Sequence, residues 1–444
     1  MAELPSFFLA SALAVYLHLR SRHCAKQPAP PPGIIITSIH LYPVKSMRGH
    51  SVARCELDAA GLKNDRRWMV VCGMPAPGGV ALFLTQRSTP ALATITPHVL
   101  GAAALAAVQG LRAGASAAEA LAAAAQGSLA PLSASDAAAA LLLCLDPAAA
   151  QPPAGTAPWV LVPLLRARAA PQPALRSVQV WKSTVTECVD QGAEAAGWLS
   201  AVVGQPARLV YQDPEHAASQ RATVSSYVAL PTALNPAAHE AAGAHRGDWW
   251  GRLQAAAAAA LLAPLWRLAS SNQSPGTSFA DGFPLLLASE NSLADLNARM
   301  AQPMGMERFR PNVVVAYSAA AAPWLEDTWA ALSVGSGGGG SGASFAGVKR
   351  CSRCSITTTD QVTGQRGAHA ATGGSTDEPL DREPLATMAT FRASAEGSGR
   401  GGVGGVFFGM NLMLVGPPQG SLWGTVAVGD AVRVTRTSST IGPL

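Results

Sequence analysis

Residues 349–360 read Lys349-Arg350-Cys351-Ser352-Arg353-Cys354-Ser355-Ile356-Thr357-Thr358-Thr359-Asp360. The β-branched threonines and isoleucine after the second cysteine predict that Phe345–Thr359 runs through the pair as a strand. Cysteines at this spacing have several uses. Structural zinc needs two more ligands, and no second such pair or paired histidine motif exists. A thioredoxin-like redox pair sits where a strand meets a helix. One cysteine can instead ligate a soft metal as a thiolate. Two ordinary core cysteines on a strand fit the spacing as well. Spacing alone leaves these readings open.

Working outward, strand signals recur on both sides. Ile34–Val44, Trp68–Cys72, Ala81–Thr85, Val178–Trp181 and Arg208–Tyr211 precede the pair, as do Pro284–Ala288 and Asn312–Ala316. Val406–Val415 and Thr425–Val434 follow it. Helical spacing marks Asp190–Val203 and Glu290–Met300 after a capping Ser289, and Ala115–Gln126 is helical by propensity. The fold class is therefore α+β and strand-dominated, with helices inserted. Residues 99–170 and 213–277 are rich in alanine, proline, serine and glycine and read as insertions without cores of their own.

The 444 residues allow two or three domains. Charged residues make up 13%, the net charge is +5, and five of the 32 basic residues are lysines. That excludes a nucleic-acid footprint. Seven scattered cysteines do not form a secreted disulfide framework. Leu4–Leu19 is an apolar run followed by Arg20, Arg22, His23 and Lys26. It reads as a membrane anchor or targeting segment over 1–26 with its C-terminal side in the cytosol. A stiff spacer over 27–33 follows it.

Short elements then recur in order. They are Tyr42-Pro43-Val44-Lys45-Ser46, Asp65-Arg66-Arg67-Trp68, Thr85-Gln86-Arg87, Phe279-Ala280-Asp281-Gly282-Phe283-Pro284 and Phe309-Arg310-Pro311-Asn312. The cysteine pair with Asp360 and Gly364 comes next. Glu383-Pro384-Leu385, Phe408-Gly409-Met410-Asn411 and Val428-Gly429-Asp430 complete the series. Each is weak alone; together, in this order, they resemble the MOSC family, in particular its amidoxime-reducing branch.

The resemblance implies an N-terminal MOSC-type β-barrel domain over 34–212, carrying the 99–170 insertion, then an irregular linker over 213–277. A MOSC β-barrel core over 278–436 and a tail over 437–444 follow. It implies a phosphorylated molybdenum-pyranopterin cofactor with Cys354 as the metal ligand. Lys45, Ser46, Arg66, Asp281, Arg310, Asn312, Ser352 and Arg353 would cradle it, and Asn411 would lie near the metal. These are suitable residue types, since arginine forks and a lysine hold phosphate and amide-like groups match pterin edges.

The implied activity is removal of oxygen from small N-hydroxylated compounds, giving amine or amidine and water. No dinucleotide fingerprint opens a helix after a strand. Electrons are thus expected from outside, by resemblance from cytochrome b5 and its NADH-dependent reductase. The expected form is a monomer anchored to a membrane, the mitochondrial outer membrane first, with its catalytic part in the cytosol. Two alternatives stand beside it: a cofactor carrier or storage protein, and a cofactor sulfurase. The sulfurase reading needs an upstream PLP-type domain, which the short stretch before Tyr42 is not expected to hold.

Overall fold

The computed structural model describes residues 33–73, 79–112, 114–128, 139–146, 152–169, 171–214, 216, 221–222, 276–335, 342–366, 382–394, 405–415 and 423–438. The segment expected as an anchor, 1–26, lies outside the described residues, as does most of 213–277. No helix among the described residues is long and apolar enough to cross a membrane.

The first strand, β1 (Ile35–Leu41), takes the short strand His50–Val52 as an antiparallel partner but does not join the N-terminal sheet. The N-terminal sheet begins instead with β2 (Val44–Lys45), β3 (Trp68–Cys72) and β4 (Val80–Leu82). Trp68–Val71 are all buried, as a strand covered on both faces requires.

Residues 95–163 correct the expectation of a coreless insertion. They form β5 (Ile95–Leu100), α1 (Ala102–Gln109), α2 (Ala117–Ser128), β6 (Ala140–Leu145) and β7 (Trp159–Pro163). These strands make a three-stranded antiparallel sheet with β6 in the middle. Strand alternation gives β6 two apolar faces. Leu141, Leu143 and Leu145 join the N-terminal core, while Leu142 and Cys144 pack on Ala104, Val108, Ala120 and Ala124. Alanine contributes little area by itself, but its small side chain lets two helices settle close on the sheet. Composition hides this because the large apolar residues sit in one short strand.

The sheet continues through β8 (Leu175–Val180), β9 (Ser183–Asp190), α3 (Ala193–Val203) and β10 (Ala207–Tyr211). Its order is β2-β3-β10-β9-β8-β4, and a Val71–Phe83 bridge brings the end of β4 back onto β3. The helix predicted from Asp190 starts at Ala193, because the Asp190 carboxylate accepts from Gly192 N–H and from Arg208. Gly204 ends it in the left-handed region, φ 72.

The C-terminal part contributes β11 (Leu285–Ser289), α4 (Glu290–Asn297), β12 (Val313–Ala316), β13 (Trp329–Gly335) and β14 (Ala343–Ser352). It ends with β15 (Gly405–Leu414) and β16 (Ala431–Thr437). Ser289 caps α4 as expected, accepting from Asn291 and Ser292 N–H. Pairing runs β11-β12-β1-β16-β13-β14-β15 and returns from β15 to β11, so seven strands close into a barrel. β1 therefore completes the C-terminal barrel, not the N-terminal sheet. Its register, Ile39 opposite Val313 and Ile35 opposite Ala431, spans hundreds of residues, which local sequence pattern cannot reveal.

Ile36, Ile39, Leu285, Leu287, Val315, Leu332, Phe345, Met410 and Leu412 fill the barrel. Gly409 sits at φ 79 where β15 crosses β11, and a Cβ there would lie 2.7 Å from the Leu287 carbonyl oxygen. The strand predicted through Thr359 stops at Ser352. Cys354 then opens a 3₁₀ turn over Ser355–Thr358, since Thr357 and Thr358 hydroxyls donate back to the Cys354 and Ser355 carbonyls.

Leu142→Ala tests the helix-covered layer. It is expected to lower unfolding free energy by about 2–5 kcal/mol in urea titration. A loss below about 1 kcal/mol would show that the layer is not packed.

Candidate functional site

Three of the expected cradle residues occupy left-handed backbone: Ser46 at φ 66, Arg66 at φ 49 and Arg310 at φ 55. Such conformations cost about 1–3 kcal/mol each outside glycine and concentrate where function constrains the chain. Contacts between the two sheets hold them in place. Arg66 N–H donates to the Tyr42 carbonyl, and the Arg66 carbonyl accepts from Phe279 N–H, at 2.8 and 2.9 Å. Ser278 Oγ donates to the Asp65 carbonyl at 2.8 Å.

The side chains converge on Tyr42, which is buried. The Arg66 and Arg310 guanidinium carbons lie 4.5 and 4.4 Å from its ring centre. Burial pushes the tyrosine up to about 12 and Arg310 down to about 10, so the first is neutral and the second charged at neutral pH. Arg66 also pairs with Asp65. Lys45, itself buried, donates to the Phe279 carbonyl at 2.8 Å and pairs with Asp281. Ser46 is buried in the turn after it.

Asn312 links these groups to the barrel. Its Oδ1 accepts from Arg66 at 2.8 Å and from Leu286 N–H at 3.2 Å. Leu285 and Leu287 point into the barrel, so Leu286 faces outward. Asn411 stands opposite Leu286 in register, and Lys349 opposite Asn411. Leu286, Asn411 and Lys349 thus form a row across the outer face of three neighbouring strands, which Asn312, just before β12, extends to Arg66. The Asn411 amide donates to the Lys349 carbonyl at 3.3 Å.

Cys354 is exposed. Its neighbour Arg353 donates to the Phe309 carbonyl at 2.8 Å, directly before Arg310, and to Cys351 Sγ at 3.0 Å. Phe309 is stacked on Phe408, with ring centres 3.8 Å apart. The cysteine turn is therefore seated on the segment that carries Arg310 and Asn312. Ser352 ends β14 opposite Phe407. The structure brings Lys45, Arg66, Asp281, Arg310 and Asn312 into one network and reaches Arg353 through Phe309.

Sequence reasoning quoted Tyr42 and Gln86 without giving them a role. Gln86 and Gln361 exchange two 3.0 Å amide hydrogen bonds across the sheet junction, and Arg310 reaches Gln361 at 3.4 Å. Only the long-range packing reveals that pair.

The donor set suits an anionic, flat, hydrogen-bonding group. Arg310 donates to a carbonyl and an amide, and Arg353 to a carbonyl and a thiol, so neither has a carboxylate hydrogen-bond partner among the described residues. Arg353 Nε is buried without a partner among the described residues. No cluster of three or more metal-binding side chains occurs among the described residues.

A family model described as the MOSC domain matches residues 275–433. Another, the MOSC N-terminal beta barrel domain, matches 34–150. The chain belongs to the MOSC family. Its N-terminal match includes β1, which nonetheless completes the MOSC barrel. A molybdenum cofactor sulfurase of Emericella nidulans is 35% identical over 34% of this chain and 17% of its own length. Human mitochondrial amidoxime reducing component 2 is 40% identical over 28% of this chain and 31% of its own length. For human mitochondrial amidoxime-reducing component 1 the figures are 30%, 35% and 37%. The matched stretches thus span well under half of each relative.

Asn312→Ala should cost about 1–3 kcal/mol, because Leu286 N–H and Arg66 lose their shared acceptor. Asn312→Asp, which keeps that oxygen, should cost less in the same urea titration. Equal losses would mean that the acceptor is not what holds the row.

Proposed function

We propose that the chain is a molybdenum-cofactor-dependent reductase of N-hydroxylated compounds. The observation that carries this reading is the Arg353 bond to the Phe309 carbonyl, which ties the turn of exposed Cys354 to the segment bearing Arg310 and Asn312. Cys354 would ligate the metal. Arg66, Arg310, Arg353 and Lys45 would hold the phosphorylated pterin, with Ser46 and Ser352 beside them. Asp281 and Asn312 would orient its edges. When bound, the cofactor supplies two-electron chemistry that removes oxygen from an N–OH group.

The protein's own contribution is binding, orientation and charge. Arg310 is buried, so its charge acts through a poorly screening medium. Asn411 would present its amide near the reacting group. Cys351, held by Arg353, would be a neighbour and not a second ligand. Electrons would come from a cytochrome b5 system, and the mitochondrial names of two relatives support placing the protein there. The Emericella relative, named a cofactor sulfurase, supports a second reading as a protein that carries or modifies the cofactor.

The test uses the full chain loaded with cofactor, supplied with a reductant and benzamidoxime. Wild type is expected to contain molybdenum and yield benzamidine. Cys354→Ser should abolish turnover while keeping most of the pterin, and Cys351→Ser should be milder. Unchanged turnover in Cys354→Ser would remove the ligand assignment. Bound cofactor with no reduction by wild type would favour the carrier reading.

A further inference from the structure

The turn between β8 and β9 is built against its own backbone preference. Val180 pairs with Ser183, leaving Trp181 and Lys182 as a two-residue turn. Trp181 has φ 55. The first position of such a hairpin with positive φ favours glycine. A bulky residue there is a conformational outlier, and an observed outlier motivates a search for function. The side chain does not retreat into a core, for Trp181 remains 43% exposed.

Its surroundings hold it upright. The indole N–H donates to Asp281 Oδ1 at 2.8 Å, and that carboxylate also takes the Lys45 ammonium. Phe83 meets the indole edge-on at 5.2 Å between ring centres. The Arg87 guanidinium lies 4.5 Å from the ring. Arg87 follows Gln86, which Gln361 ties to Arg310. The contacts therefore form a circuit: Arg310, Gln361, Gln86 and Arg87, then Trp181, Asp281 and Lys45, then Phe279 and Arg66. Trp181 is the large exposed aromatic on that circuit.

The geometry points to Trp181, steadied by Arg87, Phe83 and Asp281, as the aromatic wall of this site, taking a flat heteroatom-bearing ring by stacking. Such a ring could belong to an aromatic N-hydroxylated substrate or to the pterin of the cofactor. This inference rests on the proposed site and deepens it. It explains why a strained turn carries tryptophan: a ring anchored at its N–H and its edge is a rigid platform that loses little freedom when a ligand stacks on it.

The test compares wild type with Trp181→Gly, which relieves the turn and removes the ring, and Trp181→Phe, which keeps a ring without the N–H. Full-chain protein is used, with matching circular dichroism as the folding check. One arm measures the dissociation constant of soluble pterin-6-carboxylate by calorimetry. The other measures KM for benzamidoxime and for acetamidoxime in cofactor-loaded protein. Trp181→Gly should weaken one of the two ring-bearing ligands by about threefold to tenfold, as expected for loss of an aromatic pair. Which ligand suffers identifies the source of the ring. Acetamidoxime, which has no ring, should be unaffected, and Trp181→Phe should stay within about twofold.

The inference fails if Trp181→Gly leaves both ring-bearing ligands unchanged. It also fails if acetamidoxime suffers equally, or if Trp181→Phe loses as much as Trp181→Gly. Absence of amidoxime reduction by wild type would count against the reductase reading, while the calorimetric arm would still decide the wall.

Discussion

The meeting of two guanidinium groups on one tyrosine ring organises the rest of the site. Arg66 and Arg310 carry like charges and come from segments far apart in sequence, one before β3 and one before β12. Their mutual repulsion would drive these segments apart. Three things oppose it: the negative face of the Tyr42 ring, the buried Asp65 carboxylate beside Arg66, and the Asn312 amide that ties Arg66 to the barrel strand. Each lies at the junction of the N-terminal sheet and the barrel, so the force that assembles the site also docks the two sheets.

That docking explains why the site residues are spread across the chain. No single strand could supply them. Lys45 comes from the start of the N-terminal sheet, Arg310 and Asn312 from a crossing segment, and Asn411 from a central barrel strand. The backbone at Ser46, Arg66 and Arg310 is left-handed at the places where these segments turn to face one another. The conformational cost is offset by packing and hydrogen bonding around each turn, including the Phe309–Phe408 stack beneath Arg310.

The strand at Trp68–Cys72 and the cap at Ser289 were legible because both depend on local pattern. The cradle residues were legible only as ordered short motifs, carried by resemblance; no periodicity distinguishes Arg310 from a surface arginine. Other features were beyond local reading. β1 closes a barrel whose other strands begin at Leu285, a pairing set by tertiary register. Two alanine-rich helices gained a core because Leu142 and Cys144 offered them one face of a strand. Two hydroxyl bonds ended the cysteine strand early, where β-branched threonines had suggested it would continue. Trp181 had looked like the last residue of a strand, since nothing nearby marks the turn that follows.

The charge balance gives the site its direction. A carbonyl or amide can satisfy a cation's hydrogen bonds, but it does not cancel the charge. Arg310 and Arg353 are in that position, with carbonyl, amide and thiol partners. Arg310 is also buried, where an uncompensated charge is costly unless something nearby answers it. Asp65 and Asp281 answer part of it, but each is already engaged by another cation, Asp65 by Arg66 and Asp281 by Lys45. The remaining positive charge lies on the segment to which Arg353 ties the cysteine turn. A neutral ligand would leave it unanswered, and a compact metal cation would be repelled by it. Under the proposed function, an anionic cofactor that brings its own metal to Cys354 would satisfy both conditions, with its phosphate compensating the arginines.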